Sequence, residues 1–163
     1  MQRLSIILVI LAILAAGCGK EEAPQADEQK GSQSEETVLY VNPEQGIEIT
    51  NGEGWTKKEE ISEPFNVRFE NEKATVIITM ISNKKSVDEI KDELISGAGE
   101  VTILEEEDHS VSFQTKRKES IRSDVFIERS DEESRVIIFM TPAGEYENNK
   151  AKFDEFKENI HFE

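Results

Sequence analysis

Cysteine is all but missing. The 163-residue chain has one, Cys18, so no intramolecular disulfide braces the fold and a packed core must hold it. Histidine is nearly as scarce, and neither His109 nor His161 lies in a recognisable motif. No Gly-x-Ser-x-Gly, His-Glu-x-x-His or phosphate-binding glycine loop occurs, and Gly52-x-Gly54 alone is only a turn. Ser110 follows His109 directly. Neighbours on a strand point to opposite faces, so the two cannot form a nucleophile–base pair. These gaps call for no cofactor and lead us to expect a protein that is not an enzyme.

Positive charge is also in short supply. Nineteen Lys and Arg face 35 Asp and Glu, a formal net charge of −16. Such a surface repels phosphates, which disfavours nucleic acid and anionic lipid headgroups as partners. It suits cations or a basic protein face, and it also serves solubility. Long apolar runs are limited to Leu4–Leu14, interrupted only by Ser5. As a helix this run reaches roughly 16 Å, short of the ~20 residues that a bilayer requires.

Arg3, the short apolar run and the small residues before Cys18 therefore read as a secretory signal over residues 1–17. Ala15-Ala16-Gly17-Cys18 resembles the lipobox of bacterial lipoproteins. The resemblance implies cleavage before Cys18, acylation of its thiol with diacylglycerol and in some members of the new amino terminus. It would place the protein on the outer face of a bacterial cytoplasmic membrane, or in an outer membrane. An ordinary signal peptide with an incidental cysteine, or an uncleaved anchor, is the alternative. Two acyl chains, at ~0.8 kcal/mol per buried methylene, give stable anchoring to the lipid bilayer. Loss of Arg3 with the signal would take the net charge to about −17. Residues 18–37 are rich in Lys, Glu, Gln, Ser and Asp, with no aromatic residue. They bury too little apolar area to offset ordering, and as a tether they reach roughly 25 Å.

Residues 38–163 are long enough for a single domain with its own core. Val38–Val41 and Gly46–Thr50 are strand candidates, Asn51 to Gly54 a turn, and Trp55 a core plug. Phe65, Val67 and Phe69 alternate with polar residues, whereas Ala74–Ile81 and Val136–Met140 are apolar on both faces. Further short strands are expected at Val101–Leu104, Val111–Thr115 and Val125–Ile127, with a turn over Asp131 to Ser134. Ser86 and Glu89 form a capping-box pattern before Val87, Ile90, Leu94 and Ile95, and Gly97 is expected to end that helix. Tyr146, Phe153 and Phe156 fall on one stripe of a second helix over Glu145 to Asn159, and Ile160 to Phe162 could dock against a sheet. The order of elements predicts an α+β fold: a mainly antiparallel β-sheet flanked by helices on both faces.

Gly46-Ile47-x-Ile49 leading to Gly54-Trp55, the capped helix at Ser86, and Phe153-x-x-Phe156-x-x-x-Ile160-x-Phe162 together resemble the PsbP-like family. That family has an antiparallel sheet sandwiched by helices, and the likeness covers most of residues 38–163. Its members include photosystem assembly factors, a nuclear transport factor and bacterial lipoproteins. They are mostly binding or assembly proteins, so the resemblance implies a non-catalytic module that contacts another envelope protein.

Two charged stretches carry the remaining chemistry. On a strand, Glu105, Glu107 and His109 would share one face and offer two carboxylates and an imidazole to a metal. Surplus acid guarding a hairpin tip against edge pairing is the alternative. Lys116-Arg117-Lys118 could meet an anionic wall polymer or partner, or balance the Glu105–Asp108 run across a hairpin.

Overall fold

The computed structural model describes residues 37–163 apart from residue 132. Cys18, the signal and nearly all of the tether lie outside the described residues. Among the described residues two sheets form, and every strand pair in them is antiparallel. The smaller contains β1 (Val38–Asn42), β2 (Ile47–Thr50) and β10 (Ile160–Phe162), with β2 in the centre. The larger is built from β3 (Thr56–Ser62), β4 (Phe65–Asn71), β5 (Ala74–Ser82), β6 (Val101–Glu107), β7 (Ser110–Thr115), β8 (Ile121–Arg129) and β9 (Glu133–Pro142). Its spatial order is β3-β4-β5-β9-β8-β7-β6. Helix α1 (Val87–Ala98) follows β5, and helix α2 (Tyr146–Glu158) follows β9.

That order explains the chain path. β3, β4 and β5 form one meander. The connection containing α1 then leads to β6 at the far edge, and β6 to β9 return by consecutive hairpins until β9 meets β5. The two strands that read as apolar on both faces are thus adjacent in the middle of the sheet.

Side-chain alternation on β9 divides the core. Ile137 and Phe139 join a cluster with Trp55, Phe69, Ile47, Ile49, Phe153 and Phe156. Val136 and Ile138 join another with Ile90, Leu94, Val111, Phe113, Val125 and Ile127. In the first cluster the ring centroids of Trp55 and Phe156 are 4.6 Å apart, and those of Phe139 and Phe153 are 5.1 Å apart. Trp55 is buried there, as its place after the turn predicts. Gly54 makes that turn possible: its φ is +76°, and a Cβ would stand 2.8 Å from Asn71 Nδ2.

Helix α1 begins as its sequence predicts. Glu89 N–H donates to Ser86 Oγ at 3.2 Å, and Ser86 N–H donates to the Glu89 carboxylate at 2.7 Å. It ends later than expected. Gly97 lies within the helix, and the cap is Gly99, whose φ of +87° is the left-handed geometry that glycine accepts most cheaply.

The Lys116–Lys118 run is also placed differently from one of its two expected roles. Hairpin register pairs Val101 with Thr115 and Glu107 with Ser110, so the basic run lies at the opposite end from Glu105–Asp108. Arg117 instead donates to the Ala98 carbonyl at 2.8 Å, satisfying the C-terminal end of α1. β10 closes the small sheet: Phe162 pairs with Ile47, and Glu163 N–H donates to the Gly46 carbonyl. Among the described residues no helix is long and apolar enough to cross a membrane.

Candidate functional site

The β7 and β8 segments alternate apolar and polar side chains. Val111, Phe113, Val125 and Ile127 are buried in the cluster with Ile90, which turns the intervening polar residues to the other face of the sheet. Register then aligns those residues across strands. Ser112 pairs with Glu105 on one side and Asp124 on the other, and Asp124 pairs with Phe139. In the next row Ser110 lies between Glu107 and Phe126. On the other side of the Ser112 row, Gln114 pairs with Arg122, and Arg122 meets Thr141.

Helix α2 forms the opposing wall. Its start is fixed by Asn149, a buried side chain that donates to Thr141 Oγ1 at 2.9 Å and to the Glu145 carbonyl at 3.2 Å. Tyr146, Lys150, Phe153, Asp154 and Lys157 recur at helical spacing and line a cleft against the sheet. The cleft encloses about 280 Å³, and on its apolar side Phe126 is partly exposed in front of the buried Phe139 and Phe153.

Most charges in this cleft are already matched. Arg122 Nε is 3.2 Å from Asp124 Oδ1, and its guanidinium carbon lies 3.4 Å from the Tyr146 ring centroid. Lys150 is paired with Asp154 at 2.5 Å, an interaction that raises the lysine pKa. Lys157 Nζ lies 3.4 Å from the Phe126 ring centroid. Burial, reinforced by the neighbouring Asp124 carboxylate, pushes the Tyr146 hydroxyl up to about 12. That phenol is consequently a neutral hydrogen-bonding group at physiological pH. Glu105 and Glu107 differ from Asp124 and Asp154: among the described residues neither has a basic side chain within ion-pair distance. Among the described residues the Glu107 carboxylate accepts only from Ser110 Oγ, at 3.3 Å.

The chain shares its fold with Mog1. A solved structure of a Mog1 variant matches with a TM-score of 0.52 at 10% identity, over 78% of this chain and 95% of that one. Cyanobacterial PsbP from Synechocystis sp. PCC 6803 matches with a TM-score of 0.49 at 11% identity, over 82% of this chain and 96% of that one. The Ran-binding protein Mog1p of Saccharomyces cerevisiae also scores 0.49, at 11% identity, over 72% of this chain and 90% of that one. No family model and no curated protein matches the chain. At this level of identity the likeness concerns fold alone. A mainly antiparallel α+β architecture is also what the PsbP-like resemblance implied.

The metal reading of the sequence requires Glu105, Glu107 and His109 on one strand face. β6 carries the first two along the cleft, but it ends at Glu107, and His109 lies in the turn before β7. His109 borders a separate depression with Val87, Asp88, Lys91, Glu106 and Asp108, to which Glu107 also contributes. Among the described residues no three His, Cys, Asp or Glu side chains gather in an arrangement that would hold a metal ion. His161, in β10, lies with Nε2 3.4 Å from Thr50 Oγ1.

Two features escaped the sequence reading. One is Lys91, only 3% exposed on helix α1. Its ammonium donates to the Glu107 carbonyl and stands 3.6 Å from the Glu106 carboxylate, joining α1 to the β6–β7 hairpin. The other is the role of Arg122, Asp124 and Tyr146 in the cleft. The alternation on β8 would have revealed its polar face, but only the tertiary position of α2 turns that face into a cleft wall.

Proposed function

We propose that this chain is a bacterial lipoprotein that acts as a non-catalytic binding or assembly module on the extracytoplasmic face of the membrane. Cys18 carries the lipid, residues 18–37 form the tether, and residues 38–163 are a single PsbP-like domain that contacts another envelope protein. The observation that carries the binding reading is the cleft between α2 and β6–β8, with apolar surface inside, matched ion pairs on its walls and two unmatched carboxylates at β6. Matched pairs and a neutral tyrosine favour recognition over proton transfer, since their charges are committed to one another. We further read the division of β9 between two side-chain clusters as cover by α2 on one face of the large sheet and α1 on the other. That arrangement leaves the polar rows of β6–β8 for a partner.

Mild crosslinking in the native membrane, purification and mass spectrometry would test this reading, with Cys18→Ala as the companion sample. One near-stoichiometric envelope protein is expected with the native chain, together with release of the variant from the membrane fraction. Recovery of the native chain alone, under conditions in which a known complex crosslinks, would count against a stable partner. Retention of Cys18→Ala in the membrane would remove the lipid anchor from the proposal.

A further inference from the structure

We infer that the cleft between α2 and β6–β8 receives a lysine or arginine side chain from a basic segment of a protein partner. This rests on the binding-module reading and specifies its ligand chemistry. Charge decides the sign of the ligand. Four carboxylates line the cleft, Glu105, Glu107, Asp124 and Asp154, against three cations, Arg122, Lys150 and Lys157. Asp124 and Asp154 already hold Arg122 and Lys150, which leaves Glu105 and Glu107 against Lys157, whose ammonium lies over Phe126, so acid is in excess among the unpaired charges. An incoming anion would meet the two glutamates directly, in a chain whose net charge is −16. A cation meets unsatisfied acceptors there.

Shape decides what carries the cation. A bare ion would make no use of the partly exposed Phe126 ring, behind which Phe139 and Phe153 are buried. A lysine or arginine can lay its methylene stem on the exposed part of Phe126 and present its head to the carboxylates. The site already contains an analogue of this contact: Lys157, itself exposed, places its ammonium over the face of Phe126. A partner cation can use the same ring when Lys157 turns into solvent. Cross-strand pairing puts Glu107 and Phe126 on the two sides of Ser110, so carboxylate and ring share one row with a strand between them, a separation of roughly 10 Å.

The test is an NMR titration of the isotope-labelled full chain with N-acetyl-arginine amide, a probe holding one guanidinium and no net anionic group. Backbone shifts are expected to concentrate at residues 105–112, 122–126 and 146–157. The double variant Glu105→Gln/Glu107→Gln should weaken binding by about tenfold. Glu44→Gln/Glu53→Gln removes the same amount of charge at exposed positions outside the cleft and should leave affinity within about twofold. Equal weakening by both variants, or shifts spread over the surface, would mean general attraction to an acidic protein and overturn the proposal. So would cleft shifts with N-acetyl-glutamate amide that match or exceed those with the arginine probe, or equivalent shifts with calcium alone. If crosslinking finds a partner whose contacts avoid the cleft, the module reading stands and this ligand assignment falls.

Discussion

Phe139 shows how one residue connects the core to the cleft. It is 2% exposed, its ring is 5.1 Å from Phe153 and 5.9 Å from Phe126, and its backbone pairs with Val76 and Asp124 on either side. Truncation to alanine removes both its transfer free energy and the contacts that seat α2 on the sheet. Phe139→Ala should cost about 3–5 kcal/mol, read as a lower urea midpoint with an unchanged slope. Tyr146 makes a different prediction. Its pKa is about 12 in the folded chain against an ordinary 10.0. The unfolded phenol therefore ionises first, while the folded one keeps its proton. Stability from this residue is intact below pH 10.0 and declines as pH rises toward about 12. Tyr40 is shifted the same way, chiefly by burial, so Tyr146→Phe should reduce the alkaline loss without abolishing it. Urea midpoints measured near pH 9 and pH 11 give the comparison. An equal loss in the variant would mean that Tyr146 is not held neutral by the fold.

Elements were legible in the sequence wherever their signal was local. The capping box at Ser86 and Glu89 is a contact within four residues, and it formed as written. Ser86→Ala should cost about 1 kcal/mol, and Ser86→Asp should recover part of that as another competent N-cap. Equal stability of wild type and Ser86→Ala in thermal melts would show that packing of Ile90 and Leu94 alone holds the helix start. Where the signal was not local, the reading fell short. β3, Thr-Lys-Lys-Glu-Glu-Ile-Ser, is exposed at every position and shows no buried alternation. It is a strand because β4 offers it an edge, a fact of pairing that composition does not encode. β6 extends three acidic residues beyond its apolar start for the same reason, as β7 continues to pair with it. Glu105 and Glu107 were accordingly singled out for their acidity. Their cross-strand partners are Ser112 and Ser110, and Asp124 and Phe126 follow one strand further on, in rows that register assembles and sequence spacing does not reveal.

Across the whole molecule the excess of acid acts on stability as well as on recognition. Two electrostatic contributions compete. Local ion pairs such as Lys57–Glu60, Lys85–Glu93 and Lys150–Asp154 attract, but their side chains are about a third to more than half exposed. Pairs of that kind contribute roughly 0–1 kcal/mol each. Against them stands long-range repulsion among 35 acidic residues offset by only 19 basic ones. At about 10 mM salt the screening length is ~30 Å, comparable to a small domain, so most acidic residues sense one another. Near 150 mM it contracts to ~8 Å, which removes much of the long-range repulsion while leaving contact pairs largely intact. Repulsion should therefore be the larger loss on screening, and the folded state should gain. The melting temperature is expected to rise by about 2–6 °C between those two salt concentrations. Sodium chloride and tetramethylammonium chloride should act alike, since the second ion is too large to be held by a tight carboxylate site. A rise with sodium alone would point to specific ion binding, and a fall in both salts would mean that the surface pairs outweigh the net charge.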